Sequence, residues 1–309
     1  MSTPSVSGTE SEPTAEAQYE TALALVNSPA YRKAAARDKQ EMLWTCVSRF
    51  PYRALPRPHT SNVANMRRLA SRKLLRTPFI ADDDVRSPRT KTFHSFGTVA
   101  KVRFAAEVEH PFTGIFASGA AGLMRASLAT GMPTYSPAAS FKFLIDGPLP
   151  SQNLVLLAST DTQASRDFFE RAPTNRTVEA VIFPNTMMVA LLKRWLGPIS
   201  HPINMQRLEH LAEIASDGST VANPVAPEVV FLYAPDDVHN DPASGEDFRT
   251  ILGRIQPGTL LYRVYATSPP SQPRIHIGSI ITESPFVASE FGDRILAFKH
   301  AWGSPDEPA

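Results

Sequence analysis

Cysteine is almost missing from this chain. Cys46 is the only one in 309 residues, which excludes an internal disulfide framework and a cysteine-built zinc site and suits a reducing, cytoplasmic setting. Neither sign of charge dominates: 31 basic residues face 30 acidic ones, for a formal net charge of +1. That balance excludes the one-signed field that draws a protein to nucleic acid or an anionic membrane. No apolar run is long enough to span a bilayer. The longest candidate, VEAVIFPNTMMVALL, is broken by Pro184 and Asn185 and then meets Lys193 and Arg194. The start, MSTPSVSGTESEPTAEA, lacks the basic opening and apolar core of a secretory signal. Catalytic signatures are scarce too. The eight histidines form no H-E-x-x-H pair, and neither a phosphate loop nor a G-x-S-x-G elbow occurs. Glycine is sparse beside proline, 15 against 28, so many irregular connections are held by fixed φ angles rather than by permissive ones.

What is present falls into blocks. Residues 1–15 read as a disordered polar tail and 16–90 as a helical N-terminal arm. In the arm, Tyr19, Leu23, Ala24 and Val26 lie near helical spacing, AYRKAAARDKQEMLWTCVSRF predicts one continuous helix, and NVANMRRLASRKLL predicts another. From Lys91 the period shortens to that of strands. KTFHSFGTVAKVRFAAEV, GLMRASLA, SFKFLID and NLVLLAS succeed one another between Gly, Pro and Ser connections, which predicts an antiparallel sandwich or barrel. Helical patterns return over about 160–220 in ASRDFFERA, VEAVIF, MMVALLKRWLG and NMQRLEHLAEIA. A second β block follows in PEVVFLYA, TLLYRVYA and RIHIGSIITES, with a short helix in DFRTILGRI; SEFGDRILAFKHAW reads as a strand or a strand-helix mixture. Helices, strands, helices and strands in that order suit an α+β fold.

GLMRASLA carries an oddity. Arg125 and Ser127 stand two apart in an otherwise apolar strand and therefore share one face. An arginine on an inward face needs an anionic partner, because an unpaired buried charge costs several kcal/mol. Glu107 and Glu109 on the preceding strand are the partners a purely structural role offers.

The polar residues of this block, taken in order, resemble the heme catalases and their hydroperoxide-converting relatives. FHSFG supplies His94, MRASLA supplies Arg125 and Ser127, SPAASFKFLIDG matches a segment ending in K-F, and PSQNLVLL supplies Asn153. The later DFRTILGRIQPGTLLYRVYA and IHIGSIITESPFVASEFGDRILAF are similar to the family's last helix-loop-strand and closing strand. The resemblance spans about 91–298. It implies a closed antiparallel β-barrel over 91–309, heme b, and a peroxide or organic hydroperoxide as substrate. It further implies His94 as the proton-transfer base, oriented by Ser127, with Asn153 bonding the peroxide and Arg125 and Lys91 holding the heme propionates. Catalase relatives interlock through N-terminal arms, which implies a homo-oligomer.

The sequence departs from the family at the iron. No R-x-x-x-Y occurs anywhere in the chain, Lys91 stands where an arginine is expected, and the D-P-R-G segment has become Ser136-Pro137-Ala138-Ala139. The metal ligand is therefore open, with His300, His276, Tyr262, Tyr265 and Cys46 as the candidates. Two functions follow: heme-dependent conversion of a hydroperoxide, or a heme-free barrel that binds a small apolar or lipid-like molecule without redox catalysis.

Overall fold

The computed structural model describes residues 12–56, 84–89, 95–107, 109–128, 137–149, 151–159, 200–202, 225, 227, 229–233, 247–267 and 273–298. The helices expected in NVANMRRLASRKLL and across about 160–220 lie outside these residues.

Three helices open the described chain: α1, Ala15–Asn27, α2, Pro29–Lys33, and α3, Ala36–Ser48. Thr14 starts α1 by accepting from the Ala17 amide at 3.3 Å. Ser28 both ends α1 and starts α2, accepting from the Tyr31 amide at 3.1 Å with Pro29 in the first turn. The single helix predicted across AYRKAAARDKQEMLWTCVSRF is in fact broken, because Ala34 and Ala35 are extended. Tertiary contacts made the break. The Asp146 carboxylate accepts from the Ala36 amide at 2.6 Å, and Lys39 Nζ donates to the carbonyls of Ile145 and Gly147 at 2.7 and 2.5 Å. A distant carboxylate thus caps α3 in place of the alanine that precedes it. Asp146→Ala is expected to lower stability by about 1 kcal/mol, the ordinary loss for a helix cap, as measured by urea unfolding.

Among the described residues eight strands form one antiparallel sheet. They are β1, Phe96–Ala106; β2, Ala120–Leu128; β3, Pro137–Phe143; β4, Gln152–Ser159; β5, Ser200–Pro202; β6, Val229–Tyr233; β7, Leu260–Thr267; and β8, Ile275–Thr282. Their order across the sheet is β5-β4-β3-β2-β1-β8-β7-β6. A short helix, Phe248–Leu252, precedes β7, and a π-helical turn, Phe291–Ile295, follows β8 where a strand or a strand-helix mixture was expected.

The closed barrel expected from the family resemblance is corrected here: the sheet is open, and among the described residues no ladder joins β5 to β6. Alternating apolar and polar residues specify a half-buried strand but are identical in an open sheet and a closed one. Closure also demands that the two edge strands meet in register. Here one edge is a three-residue strand that meets β4 through an irregular register.

The register sorts side chains onto two faces. One face is apolar: Ala100, Val102, Phe104, Met124, Ala126 and Phe141 form a buried cluster with residues of β6–β8. Phe104 packs edge-on against Phe116 with ring centroids 6.0 Å apart. The other face carries Val99, Leu123, Arg125, Ser127, Lys142 and Asn153, since Val99 is paired with Arg125, Leu123 with Lys142, and Lys142 with Asn153. Residues Ala22, Leu43 and Val47 of α1 and α3 cover its apolar part together with Phe291 and Ile295 of the π-helical turn. Gln40 anchors α3 to the sheet by donating to the carbonyls of Val102 and Gly122 at 2.8 and 2.7 Å.

Candidate functional site

The helix-covered face holds a row of buried polar groups, which falls into two clusters. The first is centred on Arg125 of β2. Its Nη2 donates to Asp293 Oδ1 at 2.6 Å, and the two side chains are 2% and 3% exposed. The π-helical turn supplies Asp293, so the chain itself provides the anion that a buried arginine requires. Glu107 and Glu109 are exposed. Tyr52 leans toward the same carboxylate, its hydroxyl 3.4 Å from Oδ2; burial and the nearby Asp293 push its phenol well above the ordinary range.

The Arg125 guanidinium lies close against Gly97 of β1. A Cβ at position 97 would stand 2.7 Å from the guanidinium carbon and 2.7 Å from the Ala126 carbonyl oxygen. Gly97 is paired with Ser127 in the register, so the Ser127 hydroxyl lies beside the arginine's path. That hydroxyl is buried and has no hydrogen-bond partner among the described residues. Gly97→Ala is expected to cost about 1–3 kcal/mol, the usual penalty for overpacking, with chemical denaturation as the measure.

Arg86 completes this cluster. Residues 84–89 run beside the segment that follows the π-helical turn: Arg86 N donates to Ile295 O at 2.9 Å, and Ala297 N donates to Asp84 O at 2.9 Å. The Arg86 side chain differs from every other described arginine. Its Nε and Nη2 atoms are both buried, and among the described residues neither has a hydrogen-bond partner. These two nitrogens form one edge of the planar fork, the edge that grips a carboxylate or phosphate with two parallel bonds. Burial, and then the charges of Arg89 and Arg125, push the Arg86 pKa down to about 9.

The second cluster lies one strand over. Lys142 of β3 is fully buried; its Nζ donates to Asp84 Oδ1 at 2.9 Å and to Ser151 Oγ at 2.8 Å. Ser151 donates to the same Asp84 oxygen, and Tyr31 of α2 donates to Asp84 Oδ2 at 2.5 Å. Burial, the largest single influence, pushes the Asp84 carboxyl upward. The Lys142 charge and the hydrogen bonds from Ser151, Tyr31 and Lys142 outweigh it and hold the group below the usual carboxylate range. The Asp84 carboxyl therefore stays ionised and is not poised to accept a proton from Ser151. The cluster ties α2, β3 and the 84–89 segment together and is structural.

Of the residues singled out in the sequence, Arg125 and Ser127 are neighbours on this face. Asn153 shares the face but sits on β4, two strands from β2, opposite Lys142. His94, Lys91 and His300 lie outside the described residues. The other candidate iron ligands stand elsewhere. Tyr262 is buried in the apolar cluster, Tyr265 packs at a tilt against His276 with centroids 4.9 Å apart, and Cys46 is on α3. Among the described residues no group of three or more His, Cys, Asp or Glu side chains could hold a metal ion, and no helix is long and apolar enough to cross a membrane. Asp293 holds Nη2 of Arg125, the arginine that the family resemblance assigns to a heme propionate.

Sequence reading missed Arg86, Asp84 and Asp293. The crowded charges of ADDDVRSPRTK were the one available signal for the first two; nothing local marks Asp293. No protein-family model, no curated protein and no solved structure matches this chain.

Proposed function

We propose that this protein binds a small anion at the Arg86–Arg125 cluster, against the helix-covered face of its sheet. The carrying observation is the Arg86 fork edge, two buried nitrogens on one side of a guanidinium with no partner. A guanidinium keeps its proton in a protein, so deprotonation does not relieve the repulsion from Arg89 and Arg125. An anion does. The Ser127 hydroxyl offers a further donor on the same face. This reading keeps the arginine's need for an anion and transfers it from Arg125, which Asp293 satisfies, to Arg86. Heme-dependent peroxide conversion depends on His94 and Lys91, and the described geometry lends it no support.

The test is thermal unfolding of the purified protein in acetate, sulfate and phosphate at constant ionic strength. A ligand that binds only the folded state stabilises by about 2.7 kcal/mol at a concentration a hundred times its Kd, so the midpoint is expected to climb with anion concentration. A parallel hemin titration followed by absorbance separates the rival. A Soret band with no response to any small anion overturns the proposal.

A further inference from the structure

Resting on the anion-binding reading, we infer that the site takes an anion with two oxygens side by side on one centre, such as a carboxylate, and discriminates against a spherical halide of the same charge. The two Arg86 atoms without a partner among the described residues are Nε and Nη2. Their N–H bonds run parallel along one side of the guanidinium, so together they match two neighbouring oxygens. A halide offers one centre to both. It is reached only by bending both bonds inward, away from the straight geometry that hydrogen bonds prefer. Water does not make up the difference, because both nitrogens are shut off from solvent. A donor poorly met in such a place is costly.

The root of the side chain is fixed. Val85 and Leu296 form an antiparallel bridge, flanked by the bonds from Arg86 N to Ile295 O and from Ala297 N to Asp84 O, both 2.9 Å. Residues two apart in such an extended stretch project to the same side, so Asp84 and Arg86 both do. Asp84 is pinned there by Lys142 at 2.9 Å, Tyr31 at 2.5 Å and Ser151. Arg86 thus leaves a backbone secured at its own amide and two residues before it, which limits how far its edge can turn to suit a ligand. A preorganised planar edge reads the shape of an anion as well as its charge.

The probes are the sodium salts of acetate, nitrate and bromide, whose anions each carry one negative charge. Each is titrated into the full chain at pH 7 and followed by NMR at the backbone amide of residue 86. Nitrate and bromide are both anions of strong acids, so comparing them isolates shape from basicity. Nitrate and acetate are expected to bind about tenfold or more tightly than bromide, the ratio that one poorly met buried donor commands. Arg86→Lys keeps the charge and offers an ammonium in place of the planar edge. The nitrate-to-bromide ratio is expected to fall toward one in that variant. Should Arg86→Lys fold poorly, the wild-type comparison decides alone. Bromide that binds the wild type as tightly as nitrate overturns the shape inference and leaves anion binding intact. A ratio that survives in Arg86→Lys overturns it too. Failure of all three anions to bind overturns the anion site itself.

Discussion

Asp84→Ala is expected to destabilise the protein by about 3–5 kcal/mol, the cost of removing one partner from a buried ion pair. Three groups lose their acceptor at once. The fully buried Lys142 ammonium loses its counter-charge and keeps its bond to Ser151, while the Ser151 and Tyr31 hydroxyls lose the carboxylate oxygens to which they donate. The damage therefore reaches α2, β3 and the 84–89 segment together. Asp84→Leu combined with Lys142→Met is expected to recover much of the loss, because two apolar groups in place of a buried pair leave no stranded charge. If Asp84→Ala costs less than about 1 kcal/mol in urea unfolding, as a surface ion pair does, the buried network is disproved. The same carboxylate sets an acid limit. Its folded pKa lies below the unfolded value, so the stability it contributes is fully present above the unfolded pKa, about 3.9 for aspartate. That stability drains away as pH falls through the folded pKa. Asp84→Asn is expected to flatten this acid-side slope, read as the urea midpoint against pH.

Arg86→Met is expected to act in the opposite direction on the anion-free protein. Removing a buried group with unmet hydrogen bonds stabilises by about 1–3 kcal/mol, and methionine retains much of the side chain's apolar volume. The backbone bond from Arg86 N to Ile295 O does not depend on the side chain and survives. The same variant is expected to lose the anion-dependent rise in midpoint. A variant more stable than wild type in the absence of anion, and indifferent to it, is the signature of a binding group held at the expense of stability. A structural arginine gives the reverse: a less stable variant that still responds to anions. Arg86→Lys separates charge from shape. It keeps the positive charge but loses the two-nitrogen edge, so it is expected to bind carboxylate more weakly than the wild type and more strongly than Arg86→Met.

Local sequence determined a good deal of this molecule. Alternation in KTFHSFGTVAKVRFAAEV and RIHIGSIITES places β1 and β8, and the same period puts Arg125 and Ser127 on one face. These features follow from a period of two, which neighbouring residues carry by themselves. A buried arginine's need for an anion was equally legible, because it rests on the chemistry of a single side chain. Tertiary structure alone decided the rest. The break between α2 and α3 depends on Asp146, more than a hundred residues beyond it in sequence. The open sheet depends on how β5 and β6 sit as edges. The identity of the partners, Asp293 for Arg125 and Asp84 for Lys142, depends on segments 168 and 58 residues away along the chain. Local patterns encode periodicity and chemical need; which distant group meets that need is set only when the chain closes on itself, and so is the need at Arg86 that the described chain leaves unmet.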